Sequence, residues 1–141
     1  DSLHAREQFF YEMDEPVTRK QKGELAIGLS GMAAMDDGKV IMLEREIYVH
    51  PKQLGSYVNI KLFLIDPTQY KNGDMLSKKL LVQFRTKMSV FKHNLANYEG
   101  ICLGPRLKDG SQTIVLMCDS QNQYMGLLKD WFKVITIKKE N

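Results

Sequence analysis

Two Asp-Gly turns, each leading into a strand-like run that is apolar at nearly every position, restrict the folds open to this chain more than any other feature. Asp36-Asp37-Gly38-Lys39 leads into Val40 to Leu43, and Asp109-Gly110 leads into Thr113 to Cys118. Asp-Gly between apolar runs signals a tight hairpin, because glycine reaches backbone conformations that other residues avoid. A lone antiparallel sheet with one wet face would alternate apolar and polar residues on the returning strand. These strands do not alternate, so both of their faces must be covered.

The segments around the turns repeat. One copy runs from Gly28 to Met35, through its turn to Val40 to Leu43 and the charged triplet Glu44-Arg45-Glu46. After a loop with Pro51 and Gly55, it closes with Val58 to Ile65, stopped by Asp66-Pro67. The other runs from Asn97 through Ile101, Cys102 and Leu103, turns at Asp109-Gly110, returns to Asp119, and closes with Asp130 to Lys138 after a polar loop from Ser120 to Gly126. The period is roughly 70 residues, long for a blade, with inserted loops making up the difference. Meandering sheets packed face to face meet every condition so far, either as propeller blades or as a sandwich. We read the chain as all-β, with antiparallel meander blades of a β-propeller, about two to three of them. It is read as one domain over 1–141, with blade-like units about 25–70 and 79–139.

Three further segments complete the expectation. Arg6 to Met13 is aromatic-rich and ends at Asp14-Glu15-Pro16, which fits the last strand of an earlier unit. Val17 to Glu24 is polar and basic and reads as a loop. Lys79 to Arg85, after the Asn72-Gly73-Asp74 turn, reads as a strand, although Leu76, Leu80, Phe84, Met88 and Phe91 also keep a helical spacing. Thr86 to Ala96 is then a short helical or irregular connection.

Composition removes several function classes. The 141 residues are 43% hydrophobic and 26% charged, ordinary globular usage for a chain able to bury a real core. The net charge of +3 is mild and its lysines and arginines are scattered, so nucleic acid is not indicated as a partner. No apolar run approaches the roughly 20 residues that span a bilayer, so the reading is a soluble protein with no membrane span. The chain opens at Asp1 and reads as a piece of something longer. His4, His50 and His93 share no metal-ligand spacing with each other or with cysteine, which disfavours zinc. Cys102 and Cys118 should fall nearly opposite each other across the second hairpin. Two buried thiols are the simpler reading, since a bridge straight across neighbouring strands is strained, while an oxidising compartment would permit one.

The candidate chemistry lies in the acidic strand ends. In an antiparallel hairpin the start of one strand and the end of the next share an edge, which places Glu99 beside Asp119. The same argument brings Glu44 and Arg45 to one end of their blade. Glu44, Glu99 and Asp119 are therefore candidate metal ligands, and Glu44, Glu99 and Arg45 candidate catalytic residues. Converging carboxylates suit a Ca²⁺ ion, which takes six to eight oxygens in flexible geometry and polarises water. Arg45 offers a planar fork to a phosphate. The plainer alternatives are a solvated Glu-Arg-Glu cluster, a Glu99 that caps a local turn, and an Asp119 that, with Ser120 and Asn122, is an ordinary turn residue. No nucleophile elbow, P-loop or dinucleotide fingerprint is present, and Ser30 in Gly-Leu-Ser-Gly-Met lacks a helix behind it. Trp131 beside Phe132 reads as core rather than as a sugar platform.

These residues resemble a known family. Asn97-Tyr-Glu-Gly-Ile-Cys-Leu-Gly-Pro105 with its Asp-Gly turn and apolar strand ending in Asp, preceded by Gly28-Leu-Ser-Gly31 and Leu43-Glu-Arg-Glu46, is similar to the carboxy-terminal portion of the phytase-like β-propellers, also described as esterase-like activity of phytase. The resemblance covers most of the chain from about Gly28 onward and implies hydrolysis of phosphate or other small esters in an extracytoplasmic setting. Two departures stand out. Earlier blades are missing, and Ser30-Gly31 occupies the position that Glu99-Gly100 holds in the second copy. A propeller needs at least four blades. The remaining ones must come from another piece of chain, the favoured reading, or from identical copies around an axis. A non-catalytic propeller that binds a ligand or protein partner through Pro51 to Tyr57 and Ser120 to Leu128 is the alternative function.

Overall fold

The structure, a computed structural model, describes residues 4, 6–19, 22–89, 94–119 and 129–138. Among the described residues seven strands form two antiparallel meanders, and the one short 3-10 turn is Pro67–Gln69. The first sheet orders β1 (Glu24–Ala34), β2 (Val40–Val49), β3 (Tyr57–Ile65) and β4 (Lys79–Lys87) side by side. The second orders β5 (Tyr98–Arg106), β6 (Gln112–Cys118) and β7 (Phe132–Ile137). Gly38 and Gly110 take φ of 84° and 81° at the two hairpins, where a side chain would be strained. In both turns the preceding aspartate accepts an N–H two residues on, Asp37 from Lys39 and Asp109 from Ser111.

The sheets pack face to face. Ile41 and Leu43 on β2, Val58, Ile60 and Leu62 on β3, and Ile114 and Leu116 on β6 have no exposure and belong to one core. Met42, Phe63 and Ile65 point the other way, where Tyr11, Val40 and Leu76 cover them. The central strands are thus apolar on two faces because both are buried. This all-β arrangement of stacked meanders is the one that partial propeller blades make.

Several local expectations change. β2 does not stop at Leu43. It continues to Val49, so Glu44, Arg45 and Glu46 lie in mid-strand rather than at a strand end. Lys79–Lys87 is a strand, but it pairs with β3, which puts the break between sheets after residue 87. Arg6 to Met13 is no strand: Phe10 makes a single bridge to Met75, and the segment crosses the outer face of the first sheet as a strap. Bulges on β5 shift the second hairpin, so Cys102 faces Val115 and Cys118 faces Tyr98. The two thiols are therefore not opposite each other. Both are free, with Cys118 buried and Cys102 exposed. Trp131 and Phe132 are exposed rather than core. Phe91, His93, and the loop from Ser120 to Leu128 with Asn122 fall outside the described residues. Among the described residues no helix is long and apolar enough to cross a membrane.

Candidate functional site

Because successive side chains on a strand point to opposite faces, carrying β2 through its charged triplet separates the charges. Glu44 and Glu46 turn outward beneath the strap, and Arg45 turns inward toward the second sheet. The strap side is fully committed. Glu44 accepts hydrogen bonds from Tyr11 Oη (2.5 Å), Lys78 Nζ (2.6 Å) and the Asp14 N–H (3.3 Å). Glu46 accepts the N–H groups of Val17 (2.7 Å) and Thr18 (2.9 Å), the Thr18 hydroxyl, and Asn59 Nδ2 (3.1 Å). Asp14 binds Lys61 Nζ (2.5 Å) and Lys78 Nζ (2.8 Å).

The electrostatics follow from those contacts. Burial pushes the Glu46 carboxyl upward, but the donors from Thr18, Val17 and Asn59 outweigh it and hold the group below its usual range. Hydrogen bonds from Lys61 and Lys78 hold Asp14 low as well. Burial and the bond to Glu44 raise the Tyr11 phenol, which stays protonated. The remaining space between strap and sheet is about 10 Å³, room for one water rather than a substrate.

The inward side is built differently. β1 and β5, the first strands of their sheets, each carry one extra residue in the ladder: Ser30 between Leu29 and Gly31, and Glu99 between Tyr98 and Gly100. Such bulges re-aim a side chain and bend the strand. The two strands meet at Gly31, where a Cβ would lie 3.0 Å from Ile101 Cγ2 and 3.3 Å from the Glu99 carbonyl oxygen. Only glycine allows that approach without displacement. Arg45 then reaches across the junction, donating to Asn97 Oδ1 at 2.8 Å and pairing with Glu99 Oε1 at 3.2 Å. Asn97, itself buried, donates to the same Glu99 oxygen at 2.7 Å. Both contacts use Oε1, and among the described residues Oε2 makes no further hydrogen bond or ion pair. Side-chain exposures of 26% for Arg45 and 30% for Glu99 put this pair within reach of solvent.

Of the expected site residues, the structure brings Arg45 and Glu99 together and sets Glu44 on the opposite face of β2. Asp119 directly follows β6, whose last residue Cys118 pairs with Tyr98, so it shares an end of the second sheet with Glu99. Among the described residues no group of three or more His, Cys, Asp or Glu side chains is placed to hold a metal ion. Glu44 has both oxygens engaged and faces away from Glu99. The donors as arranged do not fit a Ca²⁺ ion shared by Glu44, Glu99 and Asp119. Asn97 was missed as a site residue by sequence reasoning, and Ser30 was set aside as a nucleophile and noticed otherwise as a departure. The signal for both was the paired X-Gly within a strand, since an isolated strand glycine marks a bulge or a close approach.

A family model described as phytase-like, esterase-like activity of phytase, matches residues 2–121. No curated protein and no solved structure is matched. The match takes in the strap, the whole first sheet, both bulges and the Arg45–Glu99 junction. By that match the chain belongs to the phytase-like family.

Proposed function

We propose that the chain hydrolyses an ester, most simply a phosphate monoester, at the junction of β1 and β5. The observation that carries this reading is the Arg45–Glu99 contact at 3.2 Å, in a chain of the phytase-like family. Glu99 Oε2 takes a proton from the attacking water as its oxygen bonds to phosphorus or carbonyl carbon. The ester bond breaks as Glu99 passes that proton to the leaving oxygen, so the alcohol departs neutral and the carboxylate is restored. Arg45 holds the anionic oxygens with its guanidinium. Asn97 fixes both partners and is a positioning residue. Glu44 anchors the strap and takes no part in the reaction, and no step runs through a metal.

The test is release of chromophore from a phosphate monoester and from an acetate ester. Glu99→Gln should lower kcat about 100-fold or more, as loss of a general base does. Arg45→Lys should act mainly on KM, because a point charge replaces a fork. Activity abolished by EDTA and restored by Ca²⁺ would instead support a cation-assisted route. Turnover of neither ester, with or without Ca²⁺, would contradict the hydrolase and favour a non-catalytic binding role.

A further inference from the structure

Among the described residues, two buried side-chain polar atoms lack a hydrogen-bond partner: Ser30 Oγ and Arg45 Nε. An unmade bond on a buried donor is costly, so such atoms are uncommon and ask for an explanation. Both residues belong to the same stretch of the β1–β2 ladder. Ser30 is the extra residue of the β1 bulge, and Arg45 stands opposite Gly28, two residues earlier on the same strand. Side chains directly opposite across a ladder share a face. Gly28 has none, and a Cβ built there would meet no atom within 4 Å. The guanidinium stem is thus bordered by a space that any other residue would fill. Ser30 also corresponds to Glu99, the bulged residue of the other first strand. One bulge offers an acceptor and the other a hydroxyl.

We infer that Ser30 and Arg45 Nε form a two-donor seat for one oxygen of a tetrahedral oxyanion, with Gly28 as the opening. Ser30 thereby decides the specificity of the site for phosphate over planar carboxylate. Arg45 supplies charge and one N–H, and the hydroxyl supplies a second donor from the neighbouring strand. An oxygen seated between them would give each donor its partner. This assignment rests on the ester-hydrolase reading for its role in catalysis, but the seat is read by binding alone.

The experiment is isothermal titration of the 141-residue chain with inorganic phosphate and, separately, with acetate. Wild type should bind phosphate in preference to acetate. Ser30→Ala should weaken phosphate binding about ten-fold and bring the two anions closer, the size expected for losing one hydrogen bond to a charged group. Ser30→Thr, which keeps the hydroxyl, should bind close to wild type. Gly28→Val should lose binding by filling the opening, and thermal melts of each variant check that the fold is kept. Absence of phosphate binding by wild type, or equal affinity in wild type, Ser30→Ala and Gly28→Val, would overturn the seat. Equal affinities together with ester turnover would remove the seat and leave the hydrolase. Ser30-dependent binding without turnover would do the reverse.

Discussion

Arg45 lies between two carboxylates in sequence, yet its ion pair is with Glu99 on another sheet. Side-chain alternation divides the work of the triplet, and variants should separate it. Lys78→Met leaves Glu44 and Asp14 facing each other with less compensation, and should cost about 3 kcal/mol in chemical denaturation while leaving anion affinity unchanged. Glu99→Gln should do the opposite, with little effect on stability and a large one on turnover. The strap also carries a pH dependence. Glu46 and Asp14 sit below their ordinary values of 4.5 and 3.8 in the folded chain. Groups lowered by folding contribute stability that is complete above those ordinary values and is lost as pH falls through the lower folded ones. Strap protection in hydrogen exchange, corrected for intrinsic rates, should be flat from neutral pH to about 5 and fall below about 4. Glu46→Gln should shrink that dependence. A strap equally protected at pH 3 and pH 7 would contradict the assignment.

At the scale of the strand, the proposed site rests on the two bulges. They depend on the β1–β5 approach, which Gly31 permits. Gly31→Val should push the strands apart, costing about 1–3 kcal/mol and weakening anion binding together, as read by a melt and a titration. Leu43→Ala, at a position with no exposure, should cost about 2–5 kcal/mol through the cavity it leaves, with binding retained wherever the protein stays folded. The turns and apolar strands were legible because Asp37-Gly38 and Asp109-Gly110 act locally and the flanking runs are unbroken. The length of β2 was not, because Glu44 and Glu46 look like a solvated strand end until their partners are known. Those partners, Tyr11, Asp14, Thr18 and Lys78, lie some 30 residues away in the chain. The cysteine register failed for a related reason. A single extra residue in a ladder moves every later pair, and β5 carries irregularities at Glu99 and between Leu103 and Arg106.

On the scale of the whole molecule, two apolar faces stay exposed among the described residues. Leu25, Ile27, Leu29 and Met32 line β1 beside the strap, and Met117, Phe132 and Val134 line the far side of the second sheet. Surfaces of this kind ordinarily meet a partner, and stacked blades meet others like themselves. Sedimentation velocity should therefore show association that rises with concentration and falls in the Phe132→Lys, Val134→Lys double variant. A wild type that stays monomeric throughout would contradict this. Ser30, Arg45 and Glu99 are proposed to act as one site across the β1–β5 junction while Glu44 acts elsewhere. Phosphate titration followed by amide and Arg Nε nuclear magnetic resonance tests this most directly. Shifts should be confined to residues 28–31, Arg45 Nε and residues 97–100. Shifts centred on Glu44, Glu46 and Lys78, or none at all, would contradict it.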